Sequence, residues 1–328
     1  MENAKPASDL GRADLGRGAD RDADCLIVGG GPAGLTAAVY LARFRRDALL
    51  IDAGEPRAAL IPTSRNCPGF PDGIRGPDLL RAMRMHAERF GVPIAAGTVT
   101  RLSVDESNET VRFIAAWQPA DGGAERRAAA RTVLLATGVV DIEPRLVRLE
   151  RAIRDGYVRH CPICDGYEVI GERIAVIGFG AGGVEEALFV RTYSADVTLL
   201  TLGEPMGLDD ESRRRLEEAG VAVVEEPIVE LEIGDGKIRC LQTASGEHRF
   251  DTLYSSLGAK VRSDLALALG AAHDETGALV VDDHQRTSVA GLWAAGDVSS
   301  SLNQISVAVG QAAIAATSIH RSLPPNYF

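Results

Sequence analysis

The sequence predicts an α/β protein in which a strand–turn–helix–strand unit occurs twice, with the second copy inserted into the first. Three observations carry this prediction. A short apolar run leads into a glycine-rich turn at Gly29 and again at Gly178, and a helix-compatible segment follows each turn. A third apolar run, near residue 292, ends at Gly296-Asp297 and precedes apolar residues at helical spacing. Strands that alternate with helices predict a parallel sheet covered by helices.

The composition limits the class of protein. The chain has 328 residues, of which 45% are hydrophobic and 25% charged, enough for about two globular domains. Its net charge of −11 and the lack of a basic stripe argue against nucleic acid as a partner. No apolar run approaches the roughly 18 residues of a membrane-spanning helix, and the N-terminus lacks the apolar core of a secretory signal. We therefore expect a cytoplasmic protein with no membrane partner, preceded by a disordered tail over residues 1–22.

The first unit starts with an apolar run over residues 24–28. It continues through Gly29-Gly30-Gly31-Pro32-Ala33-Gly34 into a predicted helix over 35–43, and a second strand over 48–51 ends at Asp52. This order is that of a Rossmann-like (βαβ) unit, whose glycines bring the backbone close to a pyrophosphate and whose acid binds a ribose.

The second unit repeats the order. A strand over 173–177 precedes Gly178-Phe179-Gly180-Ala181-Gly182-Gly183, followed by a predicted helix over 184–193 and a strand over 197–200. A single glycine-rich turn is a weak signal, but two in this context predict two nucleotide-binding domains.

Two small-residue turns mark where the chain crosses between the units. One is Ala136-Thr137-Gly138, and the other ends at Gly258. The predicted division is a discontinuous first domain, residues 23–139 plus 258–323, and an inserted second domain, residues 140–257.

The cysteines indicate redox chemistry. Five are present, an odd and scattered set that predicts no extracellular disulfide framework. The one close pair, Cys161 and Cys164, is spaced for a disulfide on one face of a helical turn; if the pair opens a helix, the helix dipole would favour the thiolate. Asp165 can exchange protons with these thiols if it lies within reach. A zinc site would need further ligands at recognisable spacing, so no metal is expected.

These residues together resemble the low-molecular-weight thioredoxin reductase family of flavin-dependent disulfide oxidoreductases. The motifs that carry the resemblance, in the family's order, are Gly29–Gly34, Asn66-Cys67-Pro68-Gly69-Phe70-Pro71, Ala136-Thr137-Gly138, Cys161–Gly166, Val184-Glu185-Glu186-Ala187 and Gly296-Asp297-Val298. The Cys-x-x-Cys-Asp-Gly placed just before the second glycine-rich turn is the most specific of them.

The resemblance implies FAD in the first domain. Gly29, Gly31 and Gly34 would cradle the pyrophosphate, Asp52 would hold the adenosine ribose, and Asp297 would bind the ribityl chain. Asn66 would approach the flavin and Gln304 would lie beside its ring, although Asn303 stands where the family usually has an arginine. The remaining residues implied for cofactor binding are Pro32, Ala33, Gly138, Gly296 and Ile305 for FAD, and Gly178, Gly180 and Gly183 for NAD(P)H.

The resemblance also implies the redox roles. Cys164 would lie against the flavin and Cys161 would attack the acceptor disulfide. Electrons would pass from a nicotinamide through FAD and this pair to a thioredoxin-like protein or a small disulfide. A homodimer is implied in the same way.

The second domain departs from the family at the NADPH phosphate. Family members carry arginines after the second strand, whereas this chain has Thr201-Leu202-Gly203-Glu204-Pro205-Met206, with no cation; the nearby Arg213-Arg214-Arg215 could compensate or could form a solvated helix face. We expect NADPH to be a poor donor. Alternative functions are a dithiol oxidase using oxygen, a disulfide reductase with a ferredoxin-type donor, and a non-enzymatic flavin redox sensor.

Overall fold

A computed structural model describes residues 22–105, 112–144, 157–227, 230–234, 237–244, 246–300 and 302–327. The tail predicted over residues 1–22 lies outside them, except for Asp22, which begins the first strand.

Strands and helices alternate around each glycine-rich turn, and runs of consecutive strands follow. The strands are β1 (Asp22–Val28), β2 (Ala48–Asp52), β3 (Ile94–Asp105), β4 (Arg112–Pro119), β5 (Arg126–Leu135), β6 (Val139–Asp141), β7 (Val158–Arg159), β8 (Ile174–Ile177), β9 (Val197–Leu200), β10 (Ala222–Val224), β11 (Glu230–Gly234), β12 (Lys237–Thr243), β13 (Gly246–His248), β14 (Thr252–Ser255), β15 (Ala259–Val261) and β16 (Leu292–Ala294). The α-helices are α1 (Pro32–Arg43), α2 (Gly76–Arg89), α3 (Pro162–Asp165), α4 (Gly180–Val190), α5 (Asp210–Glu218), α6 (Asp264–Leu267) and α7 (Ile305–Ser322), and 3-10 turns cover Arg57–Leu60 and Gly166–Val169.

The chain divides into two compact units. The first contains Met1–Ile61, Arg75–Val140 and Val261–Phe328, and the second contains Pro62–Ile74 and Asp141–Lys260. The predicted fold class, two Rossmann-like domains with the second inserted into the first, is confirmed. The segment Pro62–Ile74 belongs to the second unit, although it lies within the stretch assigned from the sequence to the first domain.

The first unit is built on a parallel sheet. β1 pairs in parallel with β2 and with β5, β2 pairs with β3, and β5 pairs with β16. β4 joins β3 and β5 in antiparallel register. Helices α1 and α7 contribute alanines and Leu41 to the core on one face, with Leu50 and Ile319 buried beside them. Small side chains let these helices pack closely, which holds the turn after β1 in a fixed place.

The second unit has a parallel sheet in the order β10-β9-β8-β14-β7. Strands β8, β9 and β14 are buried along their whole length, as both-face coverage of a parallel sheet requires. Its core includes Val176, Leu199 and Tyr254. A small antiparallel sheet, β11-β12-β13, completes the unit.

Candidate functional site

The glycine-rich turn after β1 is packed too tightly for side chains at three of its positions. Gly29 has a φ of +110°, and a Cβ there would lie 2.3 Å from the carbonyl oxygen of Ala136. A Cβ on Gly34 would lie 1.9 Å from the oxygen of Gly29, and one on Gly30 would lie 2.3 Å from the carboxylate of Asp52. The close approach of strand, helix and acid therefore requires glycine here.

Gly31 differs from these glycines, because a Cβ at this position would meet nothing closer than Pro56 Cβ at 4.0 Å. Gly31 precedes the 12-residue helix α1, which begins with Pro32 and has no side-chain cap. Ala33 is buried in the first turn. Amides at a helix N-terminus that open onto free space suit an anionic group such as a pyrophosphate.

Two carboxylates lie at the ends of strands in the first unit. Asp52 ends β2; its Oδ1 accepts a hydrogen bond from the amide of Gly54 at 3.0 Å, and its Oδ2 lies 3.4 Å from Arg84. Asp297 follows β16 and lies 3.6 Å from a guanidinium nitrogen of Arg57. Less than one-fifth of each side chain is exposed. The two carboxylates lie at strand ends, where α/β sheets bind ligands.

The segment that leads into α7 supplies further polar groups. Gln304 is the residue before the helix and Ile305 is its first residue. The amide of Gly296 donates to Gln311 Oε1 at 2.8 Å, a contact that the sequence did not indicate. The side-chain oxygen of Asn303 is buried and accepts no hydrogen bond from any residue that the structure describes. A buried acceptor such as this one could accept a hydrogen bond from a polar group of a bound ligand.

Gly138 lies in the crossing after β5. It has a φ of +66°, and its carbonyl accepts a hydrogen bond from the amide of Arg262 at 2.9 Å. Together with the open Gly31 position, the strand-end acids and the orphaned Asn303 oxygen, this unit fits a dinucleotide such as FAD.

The second glycine-rich turn has the same construction. A Cβ on Gly183 would lie 2.7 Å from the backbone of Gly178, so strand β8 and helix α4 pack in direct contact. Gly180 has a φ of +60°, and no atom lies within 4 Å of a Cβ built there. This arrangement can present α4 to a second nucleotide.

The turn after β9 is acidic where an adenosine phosphate would need a cation. Among the described residues of the stretch Thr201–Met206, the one charged side chain is Glu204, which is exposed. On α5, Arg214 is paired with Glu211 and Glu218, and Arg215 is paired with Glu185. Two of the three arginines that could have compensated are therefore engaged elsewhere.

Cys161 and Cys164 form a disulfide with a Cα–Cα distance of 5.3 Å. Cys161 is the residue before α3, and the amide of Cys164 donates to its carbonyl at 2.9 Å. Cys161 precedes a single α-helical turn over Pro162–Asp165, which continues as a 3-10 turn over Gly166–Val169. Gly166 follows the α-helical turn and packs against the ring of Tyr193, where a Cβ would lie 2.3 Å from the ring.

The other described cysteines are poor thiol nucleophiles. Burial raises the pKa of Cys25 to about 12, and that of Cys67 is also raised by burial. Thiolate is the reactive form, so these two thiols stay largely protonated at neutral pH. Cys240 lies in β12, and its side chain is not among those that the structure describes.

Asp165 and Asn66 both belong to the second unit. Both carboxylate oxygens of Asp165 are engaged, one by the Tyr254 hydroxyl at 2.8 Å and one by Arg159 at 2.8 Å. Neither partner was indicated by the sequence. Asn66 donates to the carbonyl of Ile163, between the two cysteines, at 3.4 Å. The loop that carries Asn66 therefore lies against the disulfide turn.

Within the described parts of the chain, no group of three or more histidine, cysteine, aspartate or glutamate residues is placed to hold a metal ion. None of the helices described is both long enough and apolar enough to cross a membrane.

Comparison with known proteins gives consistent matches. The family described as pyridine nucleotide-disulphide oxidoreductase matches residues 23–312. A thioredoxin reductase of Listeria innocua is 31% identical over an alignment of 303 residues that covers 89% of this chain and 91% of the relative. Among solved structures, HlmI superposes with a TM-score of 0.83 at 29% identity, covering 93% of this chain and 94% of that one. The thioredoxin reductase of Streptococcus pyogenes has a TM-score of 0.81 at 28% identity, covering 91% and 97%.

Proposed function

This chain belongs to the pyridine nucleotide-disulphide oxidoreductases, in the low-molecular-weight thioredoxin reductase family, and from that membership we propose that it reduces a protein or small disulfide through Cys161 and Cys164. It is an FAD-dependent disulfide oxidoreductase. The observation that carries the proposal is the Cys161–Cys164 disulfide, which lies in one turn of the second unit, shortly before strand β8 and its glycine-rich turn.

The first unit would hold the FAD. The turn Gly29–Gly34 and the N-terminus of α1 would bind its pyrophosphate, Asp52 its adenosine ribose and Asp297 its ribityl chain. The open space at Gly31 and the unpartnered oxygen of Asn303 support this assignment. Bound FAD, once reduced by the electron donor, would supply two electrons to the disulfide.

The cysteine pair would then exchange with the acceptor. The Cys161 thiolate attacks one acceptor sulfur, which breaks the acceptor disulfide and expels one acceptor thiolate. The Cys164 thiolate attacks Cys161 Sγ, which restores the disulfide and releases the second acceptor thiol. The acceptor gains two electrons and two protons, and the pair loses both. Because the relatives include thioredoxin reductases, we propose a thioredoxin-like acceptor, in the cytoplasm, acted on by a homodimer.

The donor would be a nicotinamide bound at Gly178–Gly183. The acidic turn at Glu204, and the engagement of Arg214 and Arg215 in ion pairs, support a preference for NADH over NADPH. The same turn favours a second candidate function, a dithiol oxidase that passes electrons to oxygen and uses no nicotinamide. Oxygen-dependent disulfide formation on a small dithiol would identify that activity.

The variant Cys164→Ser tests the proposed function. We expect normal flavin content and no disulfide turnover, because one remaining thiol cannot resolve the mixed disulfide. Turnover is measured with NADH as the donor and a small aromatic disulfide as the acceptor. The flavin content is measured by absorbance. The control Cys67→Ser should keep both properties. Undiminished turnover in the Cys164→Ser protein would remove the pair from the mechanism.

A further inference from the structure

Two strands of the second unit converge on the acid that follows Cys164. Arg159 in β7 and Tyr254 in β14 are direct partners in the parallel sheet. The guanidinium Nη1 of Arg159 lies 2.8 Å from Asp165 Oδ2, and the hydroxyl of Tyr254 donates to Asp165 Oδ1 at 2.8 Å. The carboxylate is therefore held at both oxygens by a scaffold that is itself fixed by the sheet.

Tyr254 and Arg159 are both in the protonation state that this contact with Asp165 requires. Tyr254 is completely buried, and burial together with the charge of Asp165 raises the pKa of its hydroxyl far above the usual range. The hydroxyl therefore stays protonated and can donate at any pH that the protein meets. Although burial opposes its charge, the carboxylate of Asp165 raises the pKa of Arg159. Arg159 Nε is buried and has no hydrogen-bond partner among the described residues, so the ion pair that this guanidinium forms is the one with Asp165.

A positive charge that favours a thiolate in the disulfide turn has to come from a side chain. A helix macrodipole requires several aligned turns, and α3 has only four residues. An uncompensated carboxylate beside Cys164 would disfavour a thiolate in the same turn, whereas a cation paired with it offsets that effect. The other groups that face this cluster are Glu172, which acts on Arg159, and Tyr193, which lies near Tyr254. His160 stands next to Cys161 in the chain.

We propose that Arg159 and Tyr254 are positioning residues for the disulfide chemistry: Arg159 offsets the negative charge of Asp165, and Tyr254 fixes the orientation of its carboxylate, so that the reduced pair forms its thiolate at lower pH. The proposal rests on the proposed function, in which Cys161 and Cys164 cycle between disulfide and dithiol. Asp165 is the last residue of the turn that carries Cys164, and the two strand residues act through it.

The test follows thiol reactivity rather than turnover. The FAD-loaded protein is reduced with excess dithiothreitol and desalted without oxygen. The rate at which iodoacetamide alkylates Cys161 is then measured from pH 5 to 9.5 by peptide mass spectrometry. In Arg159→Met the profile should move to higher pH by about one unit, which is a roughly tenfold slower reaction at pH 7. The matched control is Arg173→Met, which breaks an arginine–aspartate pair with Asp251 in the same unit and should leave the profile unchanged.

Two further variants separate charge from packing. Arg159→Lys keeps the charge and should recover most of the shift, and Tyr254→Phe keeps the ring in the core and should give a smaller shift in the same direction. A profile for Arg159→Met that overlays the wild type, moves to lower pH, or is not recovered by lysine would overturn the proposal. If Arg159→Met does not fold, the Tyr254→Phe profile decides: a shift upward supports the proposal and an unchanged profile rejects it.

Chemical reduction keeps this test independent of the electron donor. A protein that accepts no electrons from nicotinamide still yields a readable alkylation profile. An unchanged profile would reject the positioning role and leave the reductase function standing.

Discussion

Glu186 on α4 is a carboxylic acid held partly away from water. Burial raises its pKa from 4.5 to about 7. The neighbouring Glu185 is exposed and paired with Arg215, and a hydrogen bond from that arginine lowers its pKa. The pKa values of these two adjacent glutamates are therefore shifted in opposite directions, because one is partly buried and the other is exposed and paired with a cation.

The stability of the fold should fall as pH rises through the range set by Glu186. Its folded pKa is above its unfolded one, so folding is penalised once the group must ionise: the penalty is absent below about pH 4.5 and complete above about pH 7. Glu186→Gln should raise the melting temperature at pH 8 and change it little at pH 4.5.

The comparison variant is Glu185→Gln, which loses a surface ion pair and should lower the melting temperature slightly at pH 8. Equal effects of Glu186→Gln at both pH values would show that Glu186 does not ionise in this range.

At this scale, the sequence predicts residues that belong to local motifs and misses residues that meet through the sheet. The strand-end acid Asp52 and the pair Cys161–Cys164 follow from spacing within short segments. Arg159 and Tyr254 do not, because they become neighbours only when β7 and β14 pair. A tyrosine in an apolar strand is indistinguishable in sequence from an ordinary core residue.

Among the elements, the turn between β1 and α1 is packed too closely to accept a side chain at Gly34. We expect Gly34→Ala to destabilise the first unit and to lose flavin, because the added Cβ would lie 1.9 Å from the backbone oxygen of Gly29, which cannot move without shifting the strand. Thermal denaturation and the flavin absorbance of the purified protein measure both effects.

A glycine-to-alanine change in another helix provides the control. Gly310 lies within α7, is exposed, and has nothing within 4 Å of a Cβ. Gly310→Ala should keep the flavin and stabilise the protein by up to about 1 kcal/mol through helix propensity. If Gly34→Ala behaved like Gly310→Ala, the close packing of this turn would be refuted.

The turn after β9 should set the choice of nicotinamide. Glu204→Arg replaces a repelling charge with one that can bind a 2′-phosphate, so the affinity for NADPH relative to NADH should rise roughly tenfold, as for one charge-assisted hydrogen bond. The ratio of dissociation constants, measured by flavin or protein fluorescence, reports the effect.

Glu217→Arg on α5 makes the same change in net charge at an exposed site outside the turn. A similar rise in both variants would assign the effect to the overall field of the protein, and no rise in either would place the phosphate elsewhere.

The extent of the elements was predicted less well than their order. The helix of the second unit, predicted over 184–193, spans Gly180–Val190, because it begins inside the glycine-rich turn. At the cysteine pair, the α-helical turn covers only Pro162–Asp165 and a 3-10 turn follows it. Helix ends vary by one or two residues and depend on contacts that a local pattern does not contain.

For the whole molecule, the repeat of the glycine-rich turn predicted the duplicated, inserted architecture. The allocation of Pro62–Ile74 to the second unit was not predicted. Asn66 and Arg65 tie this segment to the disulfide turn through Ile163 and Glu168, and these contacts join segments about a hundred residues apart. The assignment of FAD to the first unit and a nicotinamide to the second remains a prediction.

An anaerobic titration of the flavin-loaded protein with NADH and NADPH in parallel, following the flavin absorbance, shows whether a nicotinamide reduces this enzyme. We expect NADH to bleach the flavin at lower concentration than NADPH, because Glu204 repels a 2′-phosphate and no cation in its turn offsets it. No bleaching by either nucleotide, with the flavin still reduced by a dithiol, would contradict a nicotinamide-linked reductase and leave the oxidase direction.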